Sequence, residues 1–187
     1  MGIEKRKKQR LQGFNYGTPG TYFLTICSFQ RQKIFGNVLM RHGKRRTGDG
    51  APYGAEHIGV DVGHTVLGVP CAEVFLSEIG KIVDKHIKNL PLHYADVIID
   101  NYVVMPNHIH ILMSLKNEET RSYQRKNERI PRIVAAFKRF TNNATNRCIW
   151  QNSYHDHIIR DVQDYIDHYN YIDNNPLRWT EDKYYTE

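Results

Sequence analysis

His108 and His110 stand either side of Ile109, inside the run Val-Val-Met-Pro-Asn-His-Ile-His-Ile-Leu-Met-Ser-Leu over 103–115. Along an extended strand successive side chains alternate between faces, so both imidazoles project from one side and Ile109 and Ile111 from the other. Two neutral imidazoles converging from one strand make half of a divalent-metal site. The spacing suits a sheet-borne site rather than the i,i+4 helical pair of a zinc protease. The plain alternative is a pair of strand histidines making ordinary hydrogen bonds.

A second group with chemical potential needs its position argued, because the chain holds 12 tyrosines. Residues 162–175 read as a helix, with Val162, Tyr165, Ile166, Tyr169 and Ile172 in one stripe assigned to the core. Tyr171 falls on the opposite side, near Asp164, His168 and Asn175. An aromatic on a polar face is either a snorkelling surface residue or a group placed to use its hydroxyl. Asn175 lies four residues on, so its amide oxygen and the Tyr171 hydroxyl can share a space. A phenol ionises near a pKa of about 10 and is a poor nucleophile at neutral pH. Against a phosphodiester it can act when a divalent cation polarises a non-bridging oxygen and orients the leaving group. The product would be a covalent phosphotyrosine and a free 3′-hydroxyl. Two imidazoles and one amide oxygen leave positions open for phosphate and water, as a catalytic Mg²⁺ or Mn²⁺ site needs. No activating base is obvious; His168, roughly a turn away, is a weak candidate.

Positioning these groups falls to an alternating set of elements. Thr21–Phe29 is β-branched and aromatic and reads as a strand launched by Pro19-Gly20. Residues 41–70 carry seven glycines and no sustained periodicity, which predicts a long irregular insertion with, at most, a hairpin. Ser77 caps a helix bearing Ile79, Ile82, Val83, Ile87 and Leu90 at helical spacing and ending near Pro91. Ala95–Met105 is a strand, Pro106-Asn107 a tight turn and His108–Leu115 the returning strand. A polar, basic loop covers 116–130. Pro131 opens a helix with Ile133, Phe137, Phe140 and Ala144 on its inner side. Tyr154–Arg160 reads as an edge strand, and Pro176 stops the last helix. This order predicts an α+β fold: a ferredoxin-like split β-α-β antiparallel sheet with helices packed on one face, plus a C-terminal tyrosine-bearing helix.

The length of 187 residues suits a single domain over 1–187, with a basic arm at 1–12 and the insertion at 41–70. Net charge is +6, and its distribution is more telling than its size. Lys5, Arg6, Lys7, Lys8 and Arg10 crowd the first ten residues. Arg121, Arg125, Lys126, Arg129, Arg132, Lys138 and Arg139 crowd 121–139. Such clusters fit a polyanion better than a small acidic metabolite, the bland reading being a solvated surface and a loose tail. Cys27, Cys71 and Cys148 have no paired spacing, which argues against a disulfide framework or cysteine zinc site and for a reducing compartment. No apolar run reaches membrane-spanning length and no signal region follows the N-terminal charge. A cytoplasmic protein with no membrane partner is expected.

Met105-Pro-Asn-His-Ile-His-Ile111 resembles the HUH motif of single-tyrosine transposases, two histidines flanking a hydrophobic residue. Phe137-Lys138, Ile149-Trp150-Gln151, Tyr154-His155-Asp156-His157-Ile158-Ile159-Arg160 and Tyr171-Ile172-Asp173-Asn174-Asn175-Pro176-Leu177-Arg178-Trp179 resemble the REP-associated tyrosine transposases and their insertion-sequence relatives. Tyr16, Pro19-Gly20, Tyr22-Phe23, Thr25 and Cys27 match the usual opening. The likeness spans nearly all the chain except about 41–70 and 116–130. It implies that His108 and His110 hold Mg²⁺ or Mn²⁺ and that Tyr171 is the nucleophile. Small insertion-sequence relatives carry glutamine as third ligand four residues after the tyrosine; here Asn175 stands there. The resemblance further implies action on single-stranded DNA that folds into hairpins, by a monomer or a homodimer. Lys5, Arg6, Lys7, Lys8, Arg10, Arg125, Lys126, Arg132, Lys138 and Arg139 would then track phosphates, with aromatics stacking on bases.

His42, His57, His64, His86, His93 and His168 follow no ligand spacing and are assigned surface or structural roles. His155 and His157 alternate on the edge strand as a conceivable second pair, held as structural. Trp150 and Trp179 are assigned to the core. Two rival functions remain: a metal-dependent phosphodiesterase using water, which needs the histidines but not Tyr171, and a non-catalytic single-stranded nucleic-acid-binding module, which needs neither.

Overall fold

Cross-strand register sorts the chain's side chains onto two faces of one sheet. The structure is a computed structural model that describes residues 18–41, 71–116 and 129–185. The basic arm with Lys5, Arg6, Lys7, Lys8 and Arg10, the insertion beyond residue 41, and Arg125 and Lys126 lie outside the described residues.

Four antiparallel strands form the main sheet in the order β4-β5-β1-β6, where β1 is Gly20–Cys27, β4 Val97–Val104, β5 His108–Leu115 and β6 His155–Ile158. Their connections give the expected ferredoxin-like topology, with the four-residue β6 as an edge strand. Thr25 pairs with His110 and with His155, and Phe23 pairs with Leu112 and with His157. Directly paired residues share a face. Phe23, Thr25, His108, His110 and His157 therefore point one way, and Tyr22, Leu24, Ile26, Ile109, Ile111 and Met113 the other.

The apolar face carries the core. Helix α1, Glu78–Lys88, and helix α3, Arg129–Thr145, cover it with Val83, Ile87, Ile130, Ile133, Val134 and Phe137, closed at one end by Phe35 and Trp150. Ser77 caps α1 as expected, its hydroxyl oxygen accepting from the Gly80 N–H at 3.1 Å and its proton going to the Ile34 carbonyl at 2.6 Å. The chain re-enters helix beyond the expected stop, as the short α2, Leu90–His93, with Pro91 in its first turn where a missing N–H is harmless.

Two further strands bracket the insertion. β2, Gly36–Arg41, pairs antiparallel with β3, Cys71–Leu76, as a separate two-stranded sheet. The flanks of the irregular segment are thus regular, a pairing concealed by its separation in sequence. Among the described residues, no helix is long and apolar enough to cross a membrane.

Two expected helix faces need correction. In α3, Phe140 is 43% exposed and Ala144 is also exposed, while Thr141 takes the inward position. The 3.6-residue repeat carries the buried stripe from Ile130 through Ile133, Val134 and Phe137 to Thr141, whose hydroxyl donates to the Phe137 carbonyl and accepts from Trp150 Nε1 at 2.7 Å. In the last helix, α4, Val162–Asn174, Val162 is 75% and Ile166 43% exposed and only Ile172 is buried. α4 lies on the histidine face of the sheet. Its inward side is rotated toward His168, Ile172 and Asn175, because the surface it meets is polar.

Candidate functional site

The turn between β4 and β5 delivers the histidines. The Met105 N–H donates to the His108 carbonyl at 2.9 Å, closing the hairpin around Pro106 and Asn107. Asn107 is fully buried and donates from Nδ2 to the Tyr184 carbonyl at 2.7 Å. That fixes its amide, so its Oδ1 receives the His108 Nδ1 proton at 2.8 Å, leaving a bare lone pair on His108 Nε2. His110 Nδ1 hydrogen-bonds the Thr25 hydroxyl at 2.9 Å, a partner that can give or take a proton and so permits either tautomer. The two Nε2 atoms meet at 3.0 Å.

Burial keeps both rings neutral. Desolvation, opposed by Asp182 and reinforced by Lys183 and Arg31, brings the His108 pKa down to about 4. Desolvation and the neighbouring His108 push His110 well below its ordinary value. Neutral imidazole is the form in which histidine binds a metal.

α4 brings the remaining groups. Tyr171 stands edge-on to His110, ring centroids 5.2 Å apart, and its hydroxyl donates to Asp182 Oδ2 at 3.1 Å. Asn175 donates from Nδ2 to the same oxygen at 2.8 Å. Its own Oδ1 is buried with no hydrogen-bond partner. An orphaned buried amide oxygen is destabilising unless something fills its demand. His108, His110 and Asp182 offer ligand atoms within 4.8 Å of one another. Two imidazoles, a carboxylate and an unsatisfied amide oxygen fit a divalent cation.

Asp182 was invisible in the sequence. It belongs to the segment after α4, which folds back over the histidines, with Tyr184 packing 4.7 Å from His108 and Trp179 6.0 Å from it. The Tyr184 N–H donates to Asp182 Oδ1 at 2.6 Å, fixing the carboxylate. Desolvation first, then the charge of Asp182, raises the Tyr171 hydroxyl above its usual range. Asn107 lay inside the quoted motif without a role, and its burial is what orients His108. A cavity of about 760 Å³ opens beside these groups, and Arg178 and Lys183 line it with Phe23, His110, Tyr171 and Asn175.

The solved structure of a REP-associated tyrosine transposase bound to a REP hairpin superposes on this chain with a TM-score of 0.54, covering 97% of this chain and 77% of that one at 17% identity. The chain has the REP-associated transposase fold. A transposase candidate from Deinococcus radiodurans is more distant, with a TM-score of 0.42, 13% identity, and coverage of 84% of this chain and 96% of that one. In sequence, an uncharacterized Haemophilus influenzae protein is 27% identical over all of this chain and 96% of its own length. No protein-family model matches the chain.

On that fold the expected DNA-contacting residues divide. Arg132 and Arg139 are exposed on α3 and open to a polyanion. Lys138 is not. Its ammonium donates to the carbonyls of Gln151, Asn152 and Ser153 at 2.7, 3.3 and 2.9 Å, and burial lowers its pKa to about 8. It pins the chain leading into β6 rather than facing solvent. Trp150 and Trp179 are buried as expected.

Proposed function

We propose that this protein is a transposase-type DNA strand transferase of the single-tyrosine HUH kind, nicking single-stranded hairpin-forming DNA through a covalent phosphotyrosine. The observation that carries this reading is the gathering of His108 and His110, the Tyr171 hydroxyl and the Asn175 amide around Asp182, with His110, Tyr171, Asn175 and Asp182 lining one cavity. The shared fold supports it.

In this reading the scissile phosphate enters beside Tyr171, with Arg178 and Lys183 offsetting its charge. The Tyr171 oxygen attacks phosphorus while its proton passes to Asp182 Oδ2. The bond from phosphorus to the 3′-oxygen breaks, and that oxygen leaves with its electron pair and takes up a proton. The products are a 5′-phosphotyrosyl bond and a free 3′-hydroxyl, and reversal by another 3′-hydroxyl rejoins DNA. His108, His110 and Asn175 would hold Mg²⁺ or Mn²⁺, which supplies Lewis-acid stabilisation of the phosphoryl oxygens.

The test incubates the protein with hairpin-bearing single-stranded DNA and Mn²⁺ or Mg²⁺ and reads a denaturing protein gel. A DNA-shifted covalent band is expected, absent in Tyr171→Phe, reduced at least about a hundredfold in His108→Ala, and retained in Tyr169→Phe. Cleavage that survives Tyr171→Phe without an adduct supports a water-using phosphodiesterase instead. Binding with no cleavage under any divalent ion supports a binding module.

A further inference from the structure

On the same sheet face, at the edge of the cavity that His168 helps to line, a second set of metal-ligating side chains converges. His157 projects from β6, and Asp164 and His168 occupy adjacent turns of α4 at i and i+4. His157 Nε2 lies 3.0 and 2.9 Å from the two Asp164 carboxylate oxygens, and His168 Nδ1 lies 3.0 Å from Oδ1. All three are half-buried, and their ligand atoms fall within 4.8 Å of one another. Burial opposes ionisation of Asp164, but hydrogen bonds from His157 and from the Arg160 N–H outweigh it and hold the carboxyl below its usual range.

We propose that His157, Asp164 and His168 form a second, structural metal site taking a divalent cation of zinc-like chemistry. Two imidazoles and one carboxylate suit a borderline first-row ion such as Zn²⁺. The two rings now stack, centroids 4.6 Å apart and planes 15° from parallel. Stacked rings aim their lone pairs along parallel planes, so occupancy turns both nitrogens toward a common point and opens the stack. His168 Nδ1, 2.8 Å from the Asp164 carbonyl, releases that contact to bind.

The site staples the edge strand to the tyrosine helix. His168 packs on Phe23 at 4.7 Å, and Phe23 packs on His110 at 5.1 Å and Tyr171 at 5.9 Å. A cation there would brace the cavity wall that His168 and Tyr171 share. Strand alternation made His155 a conceivable partner of His157, held as structural; His155 is exposed and, among the described residues, belongs to no such cluster.

The proposal stands apart from the DNA-nicking reading, and Zn²⁺ titration by calorimetry separates the two. Wild-type protein should bind two ions per chain, the His108→Ala/His110→Ala protein one, and that protein with His157→Gln added none with comparable affinity. Circular dichroism verifies each fold, and His168→Gln serves if His157→Gln unfolds. With Co²⁺ in place of Zn²⁺, the double variant should keep a visible ligand-field band that either glutamine substitution removes. Wild type and double variant binding one ion each would remove the cation from His108 and His110 but leave the second site intact. Loss of all binding in the double variant, or binding unchanged in the glutamine variants, overturns the proposal; the latter would assign the ion to the chain's remaining histidines.

Discussion

Asp182 touches more of the site's chemistry than any residue picked from the sequence. Its Oδ2 receives both the Tyr171 hydroxyl and the Asn175 amide, and its charge raises the phenol's pKa. Two roles follow, with opposite consequences. As proton acceptor it speeds the attack; as a mere neighbouring charge it suppresses ionisation. Asp182→Asn separates them. The Tyr171 pKa should fall yet stay above the unperturbed value of about 10, since burial is the larger cause. A difference titration of phenolate absorbance against the Tyr171→Phe protein measures this. If Asp182 takes the proton, adduct formation should slow by roughly a hundredfold despite the more acidic phenol; faster formation would assign it the suppressing role alone. The histidines, Tyr171 and Asn175 were legible because strand alternation and helix periodicity are local rules. Asp182 obeys neither, and only the folding back of its segment brings it within reach.

At the scale of elements, α1 shows local signals holding. Ser77 stands where a capping hydroxyl is expected, and Gly80 three residues on lets the helix approach the Phe35 backbone, since a Cβ there would lie 1.9 Å from the Phe35 carbonyl oxygen. Ser77→Ala removes the cap and the bond to Ile34 and should cost about 1–2 kcal/mol. Gly80→Ala should cost more, about 2–3 kcal/mol of overpacking, although alanine is the better helix former by about 1 kcal/mol. Urea denaturation midpoints rank the two, and a stabilising Gly80→Ala would contradict the packing. Helices α3 and α4 show where periodicity misleads. Phe140 lost the inward position to Thr141 because Trp150 Nε1 gives a buried hydroxyl its partner. α4 turned its polar side inward because the sheet beneath it presents histidines and Asn101, which donates to Asp173 at 2.8 Å.

Over the whole molecule, burying two neutral imidazoles ties stability to pH. The His108 pKa falls from 6.5 to about 4 in the folded chain, so the unfolded chain binds more protons across that interval. Stability is therefore intact above 6.5 and falls as pH drops toward about 4. Since one pKa unit is worth about 1.4 kcal/mol, the loss is on the order of a few kcal/mol. Denaturation of chelator-treated protein across that range should show the decline, and His108→Gln/His110→Gln should flatten it. An equally steep decline in the double variant would shift the cause to other groups. The net charge of +6 acts differently, favouring polyanions through long-range attraction that salt weakens.

Taken by itself, the sequence determined the strand-helix order of the main sheet, the shared face of His108 and His110, and the separation of Tyr171 from the apolar side of its helix. Each depends on chain geometry over a few residues. Tertiary structure decided which face α4 buries, that Lys138 turns inward, that Asp182 joins the histidines, and that His157 meets His168 rather than His155. Those outcomes depend on what a side chain finds opposite it, and that partner lies on another element or beyond the next turn.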